Sequence, residues 1–314
     1  MATIQTIELR PPFDPRARFV YVLIVIKVAL SVVLLSVASM RVNPLIWPLI
    51  SIWPIGLAIA AMGLRRLGYA RFGGGLDATA LCYGQGLAAL ILLFPVAALS
   101  GPFADTSLVA ADRALGFDWP AFAALFRDSP VALRIQQLFY LSFHWQALLI
   151  IPLLSWSGRM TRAWQFVTAC SLAGLITAAI FPFFPADGPY LFFGIDRAAY
   201  PNLPTGEVWR FGPIIHQLQR GHQVIDLTMF TGLVALPSYH AAAATMFSWA
   251  AWPLRLFRWP IIVLSLGMTF SAIVIGGHYF VDLPVGAMVG ATAILICKRL
   301  LADAPERDGI VVPV

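Results

Sequence analysis

The chain has 314 residues, of which 60% are apolar and 11% are charged, and its mean hydropathy is +0.81. Soluble domains are about 45–50% apolar and about 25% charged, so a soluble globular protein is excluded. The net charge of +6 is dispersed along the chain, which argues against nucleic-acid binding. The three cysteines each lie in an apolar stretch, which excludes a disulfide-stabilised scaffold: Cys82, Cys170 and Cys297.

The distribution of apolar residues predicts an all-α fold, a polytopic membrane helical bundle with about eight transmembrane helices. A helix that crosses a bilayer needs roughly 20 mostly apolar residues. Eight stretches approach that length, and the sixth is the shortest. They are residues 19–40, 44–64, 76–100, 133–156, 163–185, 237–253, 258–279 and 282–302.

Basic residues between these spans predict the orientation. The odd-numbered flanking segments, from Arg10 to Arg307, carry thirteen lysines and arginines, and the even-numbered segments carry seven. Cytoplasmic loops carry the excess of positive charge, so both termini are expected in the cytoplasm. We expect an integral protein of a bacterial-type inner membrane, with its active site on the outer face.

Two long outer loops are predicted. Residues 101–132 include a stretch, 105–120, whose apolar residues recur at helical spacing, and we expect an amphipathic helix along the membrane surface there. Residues 186–236 are rich in Gly, Pro, Trp and Tyr, and a loop of that length is usually functional.

Two of the five histidines lie where chemistry is expected. His240 stands where the second long outer loop enters the sixth span, and His278 lies in the turn between the seventh and eighth spans. The predicted topology brings both turns, together with Asp282, to the outer face. Ionisable groups at membrane depth are functional by default.

The start of the sixth span is predicted to bind a phosphate. Ser238 is placed to cap this helix, and the first backbone N–H groups, beginning at Tyr239, have no partner within the helix. Free N–H groups at the positive end of a helix dipole bind anions. His240 would stand beside that phosphate and could protonate a leaving oxygen.

The turn around His278 is predicted to supply a nucleophile. The Asp282 carboxylate can accept a hydrogen bond from one ring nitrogen of His278, which makes the other nitrogen more nucleophilic. Gly276 and Gly277 let the backbone approach a bound anion closely.

Together these residues resemble the type-2 phosphatidic acid phosphatase (PAP2) superfamily. The resemblance covers residues 76–302, and two motifs carry it: Pro237-Ser238-x-His240 and Gly277-His278-Tyr279-x-x-Asp282-x-x-x-Gly286. It implies that His240 is the general acid, that His278 forms a phosphohistidine and that Asp282 orients His278. It implies a mechanism without a metal or other cofactor.

The resemblance also implies a division of the chain into three parts. Residues 1–75 would form a cytoplasmic tail and two extra transmembrane helices, residues 76–302 a catalytic membrane domain with a six-helix core, and residues 303–314 a second tail.

Two departures from the family pattern favour a phosphodiester substrate. The chain lacks the Lys-x6-Arg-Pro motif of the phosphatases, and Ala272 stands where an Arg usually precedes the second histidine. Those cations neutralise a dianionic phosphomonoester. The branch that resembles inositol phosphorylceramide synthases and sphingomyelin synthases also lacks this Arg, and residues 184–190 are similar to a Pro/Gly-Pro element found there.

The resemblance therefore favours transfer of a phospho-headgroup to a lipid alcohol, as in an inositolphosphotransferase. The alternative is hydrolysis of a lipid phosphate such as phosphatidic acid or an isoprenyl phosphate or diphosphate. The expected partners are a phospholipid or lipid phosphate and the bilayer; the oligomeric state is left open. Substrate contacts are expected from Ser238, Tyr239, Gly277, Tyr190, Arg210 and Arg220.

Other polar residues are assigned lesser roles. Arg134 and Arg197 are further outer arginines that could face the phosphate. His144, in the fourth span, is interpreted as a hydrogen-bonded contact between helices. His216 and His222 are interpreted as solvated loop residues.

Rival functions remain at this point. Two histidines and one aspartate could form a facial triad for iron. A transporter is a second rival, although the sequence shows no internal repeat and no polar break in a span. A serine protease that uses Ser238 is weaker, because the residues around it do not form a Gly-x-Ser-x-Gly motif.

Overall fold

The computed structural model describes residues 14–204 and 206–301. Those residues form twelve α-helices and one pair of two-residue strands, so the predicted all-α fold is confirmed. The helices are α1 (Arg18–Val37), α2 (Ile46–Arg66), α3 (Ala70–Ala98), α4 (Asp105–Ala114), α5 (Trp119–Arg127), α6 (Pro130–Trp156), α7 (Met160–Ile180), α8 (Pro189–Phe192), α9 (Phe211–Gln219), α10 (Tyr239–Ala251), α11 (Arg258–Val274) and α12 (Asp282–Leu300). The predicted tail 303–314, with Arg307, and Arg10 near the other end lie outside the described residues.

Six of the eight predicted spans are helices that are long and apolar enough to cross a membrane: α1, α2, α3, α6, α7 and α12. The chain is an integral membrane protein. The two other predicted spans are shorter, with 17 residues in α11 and 13 in α10. At 1.5 Å per residue α10 is about 20 Å long, less than the hydrocarbon core of a bilayer. Ser238 caps its start, and its C-cap residue, Trp252, is followed by Pro253, which has no backbone N–H to continue the helix.

The short helix α10 lies at the centre of the bundle. It packs against α6, α7, α11 and α12, and its run of alanines is buried. Gly286 and Gly290 face α10 from α12. A Cβ atom on Gly286 would collide with the carbonyl oxygen of Ser238, and one on Gly290 would collide with that of Ala242. Glycine at these two positions therefore lets the two helices approach closely.

The first two helices contact the rest of the bundle directly. Helix α1 packs on α3 and α7, and α2 packs on α3. The side chain of Lys27, in α1, is fully buried, and its Nζ donates to Gln85 Oε1 and to Ser171 Oγ, each at 2.8 Å. Helix α3 begins at Ala70, six residues before the predicted boundary of the catalytic domain; the division into parts stays a prediction.

Segments predicted to lie outside the membrane meet at one end of the bundle. Strand β1 (Arg41–Val42), after α1, pairs in parallel with β2 (Val224–Ile225) in the second long loop. The loop that holds α4 and α5 contacts residues 187–188 and the turn between α11 and α12 (residues 275–281). Which side of the membrane these segments face stays a prediction.

Candidate active site

His278 is held by acceptors on one side of its ring. Its Nδ1 lies 3.0 Å from the carbonyl oxygen of Ala235 and 3.2 Å from Asp282 Oδ2. A carbonyl and an ionised carboxylate only accept hydrogen bonds, so Nδ1 carries the proton and donates it. The lone pair then lies on Nε2. The imidazole is 5% exposed, so this arrangement is shielded from solvent.

The start of α10 faces that lone pair. Ser238 Oγ lies 3.4 Å from His278 Nε2 and accepts from the N–H of Ala241, so Ser238 caps α10 as predicted. The Ser238 N–H donates to the Asp282 carbonyl at 3.0 Å. Among the described residues, the backbone N–H groups of Tyr239 and His240 have no acceptor. The positive end of the helix dipole is therefore directed toward the His278 ring.

His240 lies in the first turn of α10. Its ring centroid is 6.0 Å from that of His278, and the two ring planes meet at 70°. Tyr140 stacks on His240 at 4.3 Å, and Phe143 lies 4.9 Å away. The two imidazoles thus flank one small volume, with aromatic rings of α6 behind His240.

The backbone around His278 is shaped for close packing. Gly277 has a φ of +66°, a left-handed conformation that favours glycine. A Cβ atom on Gly276 would lie 2.9 Å from the Tyr140 ring. Trp119 Nε1, in α5, donates to the carbonyl oxygen of His278 at 3.0 Å. The turn is thus fixed from both the α5 and the α6 side.

Asp112 in α4 anchors the same turn and was not singled out from the sequence. Its two carboxylate oxygens accept from the N–H groups of Phe280, at 3.0 Å, and Val281, at 2.8 Å. The residue is 2% exposed, and burial raises the pKa of its carboxyl group, although the two N–H groups oppose that rise.

Asp105 begins α4 and connects two loops. Its Oδ1 accepts from the Tyr279 hydroxyl at 2.6 Å and from the Gly188 N–H at 3.0 Å, and its Oδ2 accepts from the Asp187 N–H at 2.9 Å. Helix α4 is amphipathic, as predicted, and its apolar face, with Leu108 and Val109, packs on protein; its position along the membrane surface stays a prediction. The sequence did contain a sign that α4 supports the site. Asp105 and Asp112 are seven residues apart, so they lie on the same helix face as the apolar Leu108.

Two tyrosines predicted to contact substrate have other partners. The Tyr190 hydroxyl donates to the Val274 carbonyl at 3.0 Å, and its ring is 0% exposed. The Tyr239 hydroxyl donates to the Cys170 carbonyl, in α7, at 3.1 Å. Both hydroxyls thus have acceptors within the protein, and a substrate contact by either residue stays a prediction. The backbone N–H of Tyr239 remains at the site.

The predicted arginines are not gathered around the histidines. Arg210 pairs with Glu207 at 2.6 Å and also donates to the Thr228 carbonyl. Arg134 donates to Gln137 at 3.4 Å. In the part of the chain that the structure describes, no arginine side chain hydrogen-bonds to His240, His278 or Asp282, and Arg220 forms no ion pair. Arg197 lies against Gly206 in the second outer loop.

Two of the remaining histidines differ from their predicted roles. His144 is exposed and contacts the Leu141 carbonyl of its own helix at 3.4 Å, so the predicted contact between helices is wrong. His216 is half-buried, because it stacks on Phe103 at 4.0 Å and pairs with Asp187 at 3.0 Å. His222 is exposed in the loop, as predicted.

Residues 14–204 and 206–301 show no arrangement of side chains that matches a facial triad for iron. No group of three His, Cys, Asp or Glu side chains there is arranged to hold a metal ion. The Asp282 carboxylate is instead the hydrogen-bond partner of His278 and of the Tyr279 N–H.

Comparison with known proteins gives one match. The sequence pattern of a protein family described as the PAP2 superfamily matches residues 106–296, which is more than half of the chain and includes both histidines, Asp282, Asp112 and Gly286. No curated protein and no solved structure matches the chain.

Proposed function

This chain belongs to the PAP2 superfamily, whose members are phosphatases and phosphotransferases of lipid phosphates, and from that membership we propose that it is a transferase. The proposed reaction moves a phospho-headgroup from a phospholipid to a lipid alcohol through a phosphohistidine at His278. The observation that carries the proposal is the hydrogen bonding of His278 Nδ1, which leaves the lone pair on Nε2 facing the start of α10.

The first half of the reaction forms the covalent intermediate. His278 Nε2 attacks phosphorus, and the bond from phosphorus to the ester oxygen of the donor lipid breaks. His240 gives its proton to that departing oxygen. The backbone N–H groups of Tyr239 and His240 offer donors for the negative charge on the phosphoryl oxygens.

The second half reverses these roles. The oxygen of a lipid alcohol attacks the phosphorus, the phosphorus–nitrogen bond breaks, and its electron pair returns to His278 Nε2. His240, which lost its proton in the first half, accepts the proton of the alcohol. In-line displacement requires attacking and leaving atoms on opposite sides of phosphorus, and two imidazoles 6.0 Å apart suit that requirement.

The scarcity of cations supports a diester over a monoester. Ala272 stands where phosphatases of the family carry an arginine, and its buried carbonyl accepts from the N–H groups of Gly276 and His278. A dianionic monoester would lack a charged partner there. Hydrolysis of a lipid phosphate is the second candidate, because water could replace the alcohol in the second half-reaction.

The experiment that tests this proposal uses purified protein, a defined phospholipid and, in parallel, the same phospholipid with a lipid alcohol. A new phospholipid that appears only with the alcohol supports the transferase, and free phosphate or free headgroup phosphate supports the hydrolase. An acid-labile phosphoryl group on the wild-type protein that is absent from His278→Ala supports the nucleophile. Normal turnover by His278→Ala would overturn the proposal.

A further inference from the structure

Helix α6 carries three polar side chains in a row beside the candidate active site. Gln136, Tyr140 and His144 are four residues apart, so they lie on one face of the helix. Tyr140 stacks on His240 at 4.3 Å, which places this row on the His240 side of the site. We name it the α6 polar row.

His144 is the inner member of the row and lies near the middle of an apolar span. It is exposed, and its Nδ1 lies 3.4 Å from the Leu141 carbonyl. Since a carbonyl only accepts, Nδ1 carries the proton and Nε2 is left as a hydrogen-bond acceptor. An imidazole at that depth is costly when its polar atoms lack partners, which indicates a ligand.

Gln136 is the outer member of the row, one helical turn from Tyr140. Its Oε1 is buried and has no hydrogen-bond partner in the described part of the chain. A buried carbonyl oxygen without a donor is destabilising, so this oxygen also indicates a ligand. Both free groups of the row are acceptors. They therefore need a ligand that donates hydrogen bonds. A phosphodiester offers only acceptors, whereas hydroxyl and amide N–H groups offer donors.

We propose that the α6 polar row binds the acceptor lipid, and that this lipid is an alcohol with at least one donor besides its reacting hydroxyl. The inference rests on the proposed transferase function. The reacting hydroxyl gives its proton to His240, so the donors that reach Gln136 and His144 must be additional groups, such as a second hydroxyl or an amide N–H. The exposure of His144 to the bilayer gives such a lipid a lateral approach.

The position of the row agrees with the direction of attack. The incoming alcohol must meet phosphorus on the side opposite His278 Nε2, which is the side where His240 accepts its proton. Tyr140 and Phe143 line that side at 4.3 Å and 4.9 Å from the His240 ring. An alcohol held by α6 therefore enters where His240 can accept its proton.

A matched pair of alcohols tests the proposal. Hexadecane-1,2-diol has a second donor, and its 2-O-methyl ether does not. We expect wild-type protein to show a KM for the diol that is about 2- to 10-fold lower than for the ether, the range of one neutral hydrogen bond. Gln136→Leu and His144→Leu should reduce that preference.

Two controls separate recognition from loss of structure. Gln137→Leu removes the same chemical group at the next position, where Oε1 already accepts from Arg134, and should keep the preference for the diol. His144→Gln keeps an acceptor and should restore part of the preference lost in His144→Leu. Equal use of both alcohols by the wild type, or an unchanged preference in both leucine variants, would overturn the proposal.

A binding experiment makes the outcome independent of turnover. A diol with a photoreactive diazirine is added to full-length His278→Ala protein in lipid nanodiscs, and the labelled peptides are mapped. Labelling concentrated on residues 136–144, and lowered by Gln136→Leu, supports the row even if no phosphohistidine ever forms and the transferase function fails. Uniform labelling of the lipid-facing helices would reject the row.

Discussion

Two hydrogen-bond acceptors contact the same ring nitrogen of His278, and they determine which nitrogen keeps its lone pair. The Ala235 carbonyl and the Asp282 carboxylate both accept from Nδ1, so each alone preserves the tautomer with the lone pair on Nε2. In the proposed mechanism, Asp282 adds a negative charge that stabilises the imidazole as it bonds to phosphorus. Orientation and charge are thus supplied by different groups.

Replacing Asp282 should consequently slow the reaction without abolishing it. We expect Asp282→Asn to lower kcat about 10- to 100-fold, because the charge is lost while the Ala235 carbonyl still holds the ring. Single-turnover rates of phosphohistidine formation measure the effect. An unchanged rate, with the protein still folded, would show that the carboxylate does not act on His278.

The proposed acid role of His240 gives a leaving-group prediction. His240→Gln should slow the cleavage of lipid esters about 10²–10⁴-fold, the usual range of general acid catalysis. A nitrophenyl ester needs little protonation of its leaving group, so the same variant should lose much less activity with that substrate. His222→Gln is the control, since its ring lies in the exposed loop. Equal losses with both esters would contradict the role.

At the residue scale, the sequence located the candidate reacting groups better than the residues that support them. The spacing of Ser238, His240, His278 and Asp282 identified one constellation that the fold brings together. Asp112 was missed because its partners are backbone N–H groups more than 160 residues away, and no side-chain motif marks a backbone partner. The partner of the Tyr190 hydroxyl was also missed, because an aromatic ring beside a Pro-Gly element does not reveal which way it points.

Helix α4 supports the site as a rigid clamp between two loops. We expect Asp112→Asn to destabilise the protein by about 1–3 kcal/mol, because an amide offers one acceptor and leaves the Phe280 or Val281 N–H buried without a partner. Thermal unfolding in detergent measures it. Asp118→Asn is the control, because Asp118 is an exposed cap of α5 and asparagine caps equally well. Equal stability of both variants would contradict the clamp.

The contact of α10 with α12 gives a second prediction for an element. Gly286→Ala should destabilise the bundle by about 1–3 kcal/mol, because its new Cβ atom collides with the Ser238 carbonyl and displaces the cap of α10. Gly84→Ala in α3 is matched: nothing lies within 4 Å of its new Cβ atom, so stability should be unchanged or higher. Similar unfolding temperatures for the two variants would exclude this tight packing.

Helix boundaries were less predictable than helices. Hydropathy located every long helix, but it extended the sixth span to 17 residues where α10 has 13. Hydropathy reports burial, and Pro237 and Ser238, which the predicted span included, are buried without being helical. A buried loop and a membrane span have the same signature in composition.

At the scale of the whole molecule, both termini are proposed to be cytoplasmic. A membrane-impermeant maleimide added from outside should modify a cysteine at Asn202 and spare one at Ser157, both of which are exposed. The background is a variant in which Cys82, Cys170 and Cys297 are replaced by alanine. The reverse labelling pattern would put the candidate site on the cytoplasmic face.

The position of α1 in the membrane depends on segments that are synthesised after it, because Lys27 finds its hydrogen-bond acceptors there. A lysine near the centre of a span costs about 2.5–3.5 kcal/mol for insertion when nothing pairs with it. Its two acceptors, Gln85 and Ser171, belong to α3 and α7. A nascent chain that stops before Ser171 therefore holds an incompletely paired ammonium group in lipid. Helix α1 thus has both acceptors for Lys27 only after the fifth span has been inserted beside it.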